Sequence, residues 1–396
     1  MLTQRSQVLE ESITLAITAL ANELKAKGED VISFSAGEPD FDTPQTIKNA
    51  AIAAIEKGCG KYTAVAGIAD VLKAIQNKLK KDNNLSYETS EIITNVGAKH
   101  SLFECIECLV EEGDEVIIPS PYWVSYPEMV KFAGGKPVFI EGLEENGFKI
   151  NAEQLKKAIT PKTKILMLNS PSNPVGSIYN KEELLSIAKV LEGTKIIVLS
   201  DEMYEKLRYD GFEFVAFASV SEDALNRTVT INGLSKCGAM PGWRFGYMAS
   251  KNKALISAVK RLQGQSTSNI CSITQHAAIP ALNGECDEDI EKMRQAFEKR
   301  RDLALNMLHQ IPNISVYKPE GAFYLFVNTQ KIEKDSMKFC QKLLEQEKVA
   351  VVPGIGFGMD GYFRLSYATS DELIKKGIER IANFVRGILK RTCNYP

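Results

Sequence analysis

Lys236 and Arg244 lie eight residues apart in the stretch SKCGAMPGWRFG, which contains no carboxylate. Small and rigid residues surround both cations, so the stretch predicts a loop rather than a helix or strand. Two cations held close together in such a loop favour an anion that is not part of the protein. Phosphate fits this requirement, because a guanidinium donates paired hydrogen bonds to phosphate oxygens. Ser235 would complete such an anion site.

A second candidate element of that site is the segment NVGAKHS, which predicts a strand end, a turn at Gly97 and Ala98, and a helix start. Backbone N–H groups at a helix start point outward at the positive end of the helix dipole, where phosphate binds readily. Taken alone, a strand–glycine–helix turn more often binds nothing. The prediction of a phosphate site therefore depends on its combination with Arg244 and Ser235.

Asp201 ends the hydrophobic run KIIVLSDE and is the main candidate acid. Such a carboxylate would either cap a following helix or pair with a cationic ring nitrogen of a cofactor. Lys236 follows the next strand-like run, so both side chains would lie at one edge of a sheet. A lysine is ordinarily a solvated surface charge. A buried lysine beside another cation instead has a lowered pKa and becomes a nucleophile suited to Schiff-base chemistry.

The elements that position these residues alternate between short β-branched runs and longer amphipathic segments from about residue 45 to 285. Examples are the strand EIITNVG, the helix AKHSLFECIECLVEEG ending at Gly113, and the strands TKILMLNSP and TKIIVLSDE. Strands separated by helix-length crossovers predict a mostly parallel α/β sheet. Ligands of such sheets lie beyond the carboxyl ends of the strands.

The pattern changes near residue 286, where a long charge-rich helix precedes a mixture of short strands and helices. We therefore predict a large domain over residues 46–285 and a smaller α+β domain over residues 286–396. Residues 1–45 are expected to form an N-terminal segment that packs with the small domain.

Composition excludes several classes of function. The net charge of −2 over 396 residues provides no electrostatic footprint for nucleic acid or an anionic membrane. No apolar run approaches the about 18 residues that a membrane span needs. The three histidines are too dispersed for a metal site, and the eight scattered cysteines favour a cytoplasmic protein. Cys105 and Cys108 form a C-x-x-C at mid-helix spacing, which predicts core packing rather than redox chemistry.

Six ordered segments resemble a known family: KYTAVAGIADV, SPYWVSYPEMVKFAGG, NSPSNPVGSIY, SDEMYEKLRYDG, SKCGAMPGWRFGY and FRLSYATSDE. Together they resemble the fold-type-I pyridoxal-phosphate (PLP) aminotransferases of class I/II, and look most like the bacterial aspartate aminotransferases of subgroup I-beta. The likeness runs from about residue 5 to 385. It implies the PLP-transferase fold, with a large domain around a mostly parallel sheet and a smaller α+β domain built from both chain ends.

The resemblance also implies roles around the cofactor ring. Lys236 would form the internal aldimine and later move the proton between Cα and C4′. Asp201 would contact the pyridine nitrogen, and Tyr204 the phenolic oxygen. Asn173 would lie at the same oxygen, Trp123 would stack on the ring, and both would also contact substrate.

The phosphate contacts that the resemblance implies come from Gly97, Ala98, Ser235 and Arg244. Tyr62 would reach the phosphate of the neighbouring subunit's cofactor, which implies a homodimer with shared active sites.

Substrate contacts follow from the same resemblance. Arg364 would bind the α-carboxylate, and Gly37 would line the same pocket. Lys99 would bind the distal carboxylate of an acidic substrate, assisted by Ser12 and Thr14. An exposed lysine in the first turn of a helix is the ordinary alternative for Lys99.

Two positions depart from the subgroup, and both bear on substrate choice. Glu11 stands where proline is usual, which adds negative charge near an acidic substrate, and Pro241 replaces a usual threonine. We predict transamination of L-aspartate and 2-oxoglutarate to oxaloacetate and L-glutamate. The alternatives are an aromatic amino acid or prephenate aminotransferase, a PLP-dependent β-lyase, and a non-enzymatic regulator. The complete lysine, aspartate, tyrosine and arginine set argues against the regulator.

Overall fold

The computed structural model describes residues 2–393. Residue 1 of the predicted N-terminal segment and residues 394–396 of the predicted small domain lie outside the described residues. Over the described range the strands are β1 (Ile32–Ser33), β2 (Ile92–Val96), β3 (Glu115–Ser120), β4 (Lys136–Glu141), β5 (Thr163–Asn169), β6 (Ile197–Asp201), β7 (Thr228–Gly233), β8 (Phe245–Ser250), β9 (Ser315–Val316), β10 (Tyr324–Asn328), β11 (Val349–Ala350), β12 (Val352–Pro353) and β13 (Tyr362–Ser366).

The helices of the described residues are α1 (Gln4–Gln7), α2 (Ile13–Ala26), α3 (Gln45–Glu56), α4 (Ala69–Asn83), α5 (Ala98–Leu109), α6 (Ser125–Phe132), α7 (Ala152–Ala158), α8 (Lys181–Leu191), α9 (Glu222–Arg227), α10 (Lys253–Ser266), α11 (Ser272–Leu282), α12 (Asp287–Leu308), α13 (Ser336–Glu347) and α14 (Asp371–Cys393). Within this range, none is both long enough and apolar enough to cross a membrane.

The central sheet has seven strands in the order β2-β8-β7-β6-β5-β3-β4. Only β8 runs antiparallel to its neighbours; the remaining pairs are parallel. The predicted mostly parallel α/β fold is therefore confirmed. Because β2 and β7 both oppose β8, the carboxyl end of β2 lies at the same edge as those of β5, β6 and β7.

That edge collects the polar strand ends. Asn169 at the end of β5 pairs in register with Asp201 at the end of β6, and Asp201 pairs with Ile231 of β7. Ser235 and Lys236 follow directly after β7. The strand register thus places the candidate acid and the candidate nucleophile on neighbouring strands, as the strand-end argument requires.

The smaller sheet is antiparallel, in the order β12-β13-β10-β9. Beside it, β1 from the N-terminal part of the chain pairs in parallel with β11, with Ile32 opposite Val349. Phe34 continues this pairing through a backbone hydrogen bond to Ala350. This contact holds the segment before Gly37 against the C-terminal part of the chain. The exact domain limits given above remain predictions.

Helix α5 is shorter than the sequence pattern indicated. It ends at Leu109 rather than at Gly113, because Val110 is already extended. Cys105 lies in the middle of α5 and is fully buried, as predicted, whereas Cys108 is half-buried. Burial raises the pKa of both thiols. A raised pKa disfavours the thiolate, so this C-x-x-C is poorly suited to redox chemistry.

Candidate active site

A cavity of about 320 Å³ lies at the carboxyl edge of the central sheet. It draws side chains from both ends of the chain and from the sheet between them. The predicted site residues among its lining are Ser12, Thr14, Gly37, Ala98, Lys99, Trp123, Asn173, Asp201, Tyr204, Ser235, Lys236, Arg244 and Arg364. Positions more than 300 residues apart in sequence therefore share one site.

Lys236 reaches into this cavity from the loop after β7. Its ammonium donates to the carbonyl oxygen of Gly37 and lies 5.9 Å from the ring centroids of Tyr204 and Phe323. Burial, and secondarily the Arg364 cation, lowers the pKa of Lys236 to about 8. A substantial fraction of the amine is therefore neutral near pH 8, as a nucleophile or a proton acceptor requires.

Asp201 is buried at the end of β6. Its Oδ2 accepts a hydrogen bond of 2.7 Å from the Tyr126 hydroxyl, and its Oδ1 accepts one of 3.3 Å from the Met203 N–H. Burial raises the pKa of Asp201, while these two donors oppose the rise. No α-helix of the described residues begins between Asp201 and α9 at Glu222, so the carboxylate does not cap a helix.

Sequence reasoning missed Tyr126 as a functional residue. It lies in α6 three residues after Trp123, and the two rings meet edge to face with centroids 5.4 Å apart. Both belong to the quoted segment SPYWVSYPEMVKFAGG, but Trp123 precedes α6, so helical spacing alone does not place the two rings together.

Tyr204 meets a second residue that the sequence did not single out. Its hydroxyl lies 2.9 Å from that of Tyr324 on β10, and both side chains are buried. Tyr324 lies in the region of short strands predicted after residue 286, but its position opposite Tyr204 depends on the packing of the small sheet against the large one. The two hydroxyls together present polar atoms to the cavity.

Arg364 is a buried cation without a carboxylate partner among the described residues. It lies on β13, is 2% exposed, and donates to Asn173 Oδ1 and to the carbonyl oxygen of Ser35, both at 3.0 Å. Its guanidinium packs over the ring of Tyr324 at 4.4 Å. Its Nε has no hydrogen-bond partner in the described part of the chain. A buried charge is costly unless it is paired, so this arrangement favours an anionic ligand.

The turn at Gly97 and Ala98, where phosphate binding is predicted, is called the phosphate turn below. Gly97 is the N-cap of α5 and has a φ of 78°. A Cβ at this position would lie 2.5 Å from Nη2 of Arg244, so only glycine allows the guanidinium to approach. Arg244 is held by bonds from Nη1 to the Pro241 carbonyl at 2.8 Å and from Nη2 to the Val96 carbonyl at 3.2 Å. The first N–H groups of α5 have no partner within the helix. Ala98, Ser235 and Arg244 line the same cavity, so the groups predicted to bind an anion are brought together.

Lys99 lies in the first turn of α5, with Nζ 4.8 Å from the Trp123 ring centroid. Burial of the ammonium, and then the Arg244 cation, lowers the pKa of Lys99. Ser12 is the N-cap of α2 and lines the same cavity as Thr14, whose hydroxyl oxygen has no hydrogen-bond partner among the described residues. These three residues contribute polar groups to the lining of the cavity.

Two predicted residues, Tyr62 and Gly97, do not belong to the lining of the cavity. The Tyr62 side chain is 90% exposed. Gly97 acts through Arg244 instead. A role for Tyr62 in a neighbouring subunit's site remains a prediction.

The fold matches that of known aminotransferases. Residues 29–381 match the family described as aminotransferase class I and II. The chain belongs to this family, and its fold is that of the fold-type-I aminotransferases.

Individual relatives are similar over almost their whole length. An aspartate aminotransferase from Bacillus subtilis is 51% identical, over 97% of this chain and 98% of that one. A probable aspartate/prephenate aminotransferase from Rickettsia conorii is 49% identical, over 95% and 96% of the two chains. The crystal structure of the aspartate aminotransferase from Rhizobium meliloti has a TM-score of 0.94 at 42% identity, covering 98% of this chain and 99% of that one.

Proposed function

We propose that this protein is a PLP-dependent aspartate aminotransferase that converts L-aspartate and 2-oxoglutarate to oxaloacetate and L-glutamate. The observation that carries the proposal is one cavity that holds three groups. They are Lys236 with a lowered pKa, the buried acid Asp201, and Arg364, a buried cation without a carboxylate partner in the described part of the chain. The aspartate aminotransferases named among the relatives support the choice of substrate.

The residues present fit the cofactor. The N-terminus of α5, Ser235 and Arg244 would hold the phosphate, and the steric requirement for Gly97 supports this use of the turn. Asp201 would pair with the ring nitrogen, and Trp123 would cover the ring face. When bound, PLP supplies an electron sink for the charge left at Cα after loss of a proton.

Lys236 is the group that moves this proton. Its Nζ takes the proton from the substrate Cα while neutral and delivers it again as the ammonium. A positioned base of this kind contributes about 10² to 10⁴-fold to the rate. Arg364 orients the substrate by binding its α-carboxylate, and Asn173 with the Ser35 carbonyl fixes the guanidinium for this task.

Asp201 holds a proton at the ring nitrogen by remaining anionic beside it. Burial opposes the anion, and the donors from Tyr126 and Met203 offset that cost. Tyr204, with its hydroxyl oriented by Tyr324, would donate to the phenolic oxygen.

Lys99, Ser12 and Thr14 would bind the distal carboxylate of aspartate or glutamate. Prephenate also carries a second carboxylate, and a relative from Rickettsia conorii is named for both substrates. We therefore keep prephenate as a second amino acceptor, bound by the same lysine.

We further propose a cytoplasmic homodimer in which Tyr62 reaches the phosphate site of the other subunit. The 90% exposure of Tyr62 supports a contact outside its own chain. The described cysteines are free, which suits a reducing compartment.

The test is a steady-state panel of amino donors with 2-oxoglutarate and prephenate as acceptors, followed by borohydride reduction and peptide mapping. We expect aspartate to be the best donor and a pyridoxyl group on Lys236. A label on another residue would overturn the proposal, as would protein that acquires no cofactor absorbance from added PLP. Pyruvate and ammonia released from one substrate without an acceptor would instead identify a β-lyase.

A further inference from the structure

A series of buried side-chain amides, joined by hydrogen bonds, begins beside the phosphate turn. Asn95, two residues before Gly97, is fully buried, as is Gln263 of α10. The Asn95 amide donates to Gln263 Oε1 at 2.8 Å and to Glu104 Oε2 at 2.9 Å, and its Oδ1 accepts from Ser101 at 2.7 Å. Asn95 thus ties the strand before the turn to the helix after it.

Gln263 extends this series of hydrogen bonds to a segment that is distant in sequence. Its Nε2 donates to the Thr94 carbonyl at 3.0 Å and to the Val65 carbonyl at 2.8 Å. Thr94 adjoins Asn95 in β2, whereas Val65 lies three residues after Tyr62. One NH₂ group has two donors, so a single amide can fix two backbone segments relative to each other.

Residues 61–68, which we call the Tyr62 segment, have further anchors in their own subunit. Thr94 donates from its N–H and its hydroxyl to the Ala66 carbonyl at 2.9 and 3.0 Å. Gln275 of α11, also fully buried, accepts from the Ile68 N–H at 2.7 Å and donates to the Thr63 hydroxyl at 3.0 Å. These hydrogen bonds to buried residues therefore hold the backbone of the Tyr62 segment, while the Tyr62 side chain stays exposed.

We propose that Gln263 is a positioning residue that sets Tyr62 for the partner subunit's site and ties it to the phosphate turn of its own subunit. This inference rests on the proposed function, specifically on Tyr62 reaching the other subunit. Gln263 lies outside the cavity lining and acts only through the backbone it holds. Loss of its amide would leave the Val65 carbonyl and the carbonyl of the buried Thr94 without this donor, so the Tyr62 segment would relax.

Hybrid dimers distinguish an effect of Gln263 on the phosphate turn of its own subunit from an effect on the partner subunit through Tyr62. Two differently tagged subunits are co-expressed, and one carries Lys236→Ala, so that only the other subunit can be labelled at Lys236. The Gln263→Met change is placed either in the labelled subunit or in its partner. Cofactor affinity is read from borohydride-fixed pyridoxyl label at Lys236 as a function of PLP concentration, and hydrogen exchange of residues 61–68 is measured in the apoprotein.

We expect Gln263→Met in the partner alone to weaken labelling of the unchanged subunit about tenfold and to speed exchange in residues 61–68. Gln265→Met, an exposed glutamine on the same helix, is the matched control and should change neither measurement. If Gln263→Met yields no soluble dimer, Gln275→Met replaces it, because Gln275 holds the Tyr62 segment without touching the phosphate turn. That variant should act only from the partner subunit.

A Tyr62→Phe reference distinguishes this inference from the proposed function. If Tyr62→Phe in the partner weakens labelling but neither glutamine variant does, the positioning role is wrong and the shared site stands. If Tyr62→Phe in the partner has no effect, the shared site itself is wrong and the inference falls with it. If the wild-type protein is never labelled at Lys236, the proposed function has failed independently of Gln263.

Discussion

The hydroxyl of Tyr126 lies 2.7 Å from Oδ2 of Asp201, inside a pocket where burial raises the pKa of that carboxyl. A hydroxyl donor to a carboxylate stabilises its anionic form, and this effect opposes the cost of burial. The bond therefore favours the charged form of Asp201, which the proposed pairing with a protonated ring nitrogen requires.

Tyr126→Phe removes that donor without removing the ring. We expect kcat to fall about 10- to 150-fold, because a hydrogen bond to a charged group is worth about 1.5–3 kcal/mol. The measurement is kcat with aspartate, together with the pH dependence of the cofactor absorbance. Tyr87→Phe, which removes a buried hydroxyl 3.4 Å from Thr230, is the control. An unchanged kcat in Tyr126→Phe would show that Asp201 does not depend on this donor.

Gly97→Ala places a methyl group against the Arg244 guanidinium. Because the Cβ would lie 2.5 Å from Nη2, Arg244 must move away from the phosphate turn, and PLP should dissociate more readily. Equilibrium dialysis against PLP measures this loss of affinity. Gly113→Ala provides a close comparison, since Gly113 also has a positive φ of 93° but has no atom within 4 Å of the added Cβ. Equal affinities in the two variants would contradict the steric argument.

Lys99→Ala tests the binding of acidic substrates. Loss of a charge-assisted contact should lower kcat/KM for aspartate about 10- to 150-fold, with little change for phenylalanine. The exposed Lys156→Ala in α7 serves as control for loss of one positive charge. Equal losses of kcat/KM for aspartate and phenylalanine would contradict a role for Lys99 in binding acidic substrates.

Lys236 should capture the aldehyde of PLP in a pH-dependent manner. With a pKa of about 8, the reactive neutral amine increases as pH rises, so the capture rate of apoprotein should rise to a plateau with a midpoint near pH 8. Arg364→Gln removes a neighbouring cation and should move the midpoint upward. Stopped-flow absorbance between pH 6.5 and 9.5 measures both, and the exposed Arg386→Gln should leave the midpoint in place. A midpoint near the ordinary lysine value in the wild type would disprove the lowered pKa.

The raised pKa of Glu202 predicts that the stability of the folded protein depends on pH. Burial, and secondarily Glu205, raises the pKa of Glu202 from 4.5 to about 8. Between these values the folded protein keeps a proton that the unfolded chain releases, so rising pH favours unfolding by at most about 1.4 kcal/mol per pH unit. Calorimetry across pH 5–9 should therefore show the wild type losing stability relative to Glu202→Gln as pH rises. Parallel curves for the two proteins would contradict a raised pKa.

Much of the fold was predictable from local patterns, whereas most residues of the candidate site were predicted from the resemblance to the aminotransferase family. Alternation of strand and helix indicated the parallel sheet, and the strand-end rule brought Asp201 and Lys236 to one edge. The glycine at position 97 and the loop around Arg244 indicated an anion site, because backbone conformation and charge are local properties of the chain. The predicted end of α5 was wrong by four residues, because Val110 already has an extended backbone.

The sequence by itself determined which residues have the chemistry for this reaction and which strands carry them. The tertiary structure alone decided that Tyr126 supports Asp201, that Tyr324 meets Tyr204, and that Gln263 joins Thr94 to Val65. These contacts join segments up to about 200 residues apart, and no periodicity or spacing in the chain encodes them. They exist because the helices and the small sheet pack against the central sheet, and buried polar groups must then find partners across that packing.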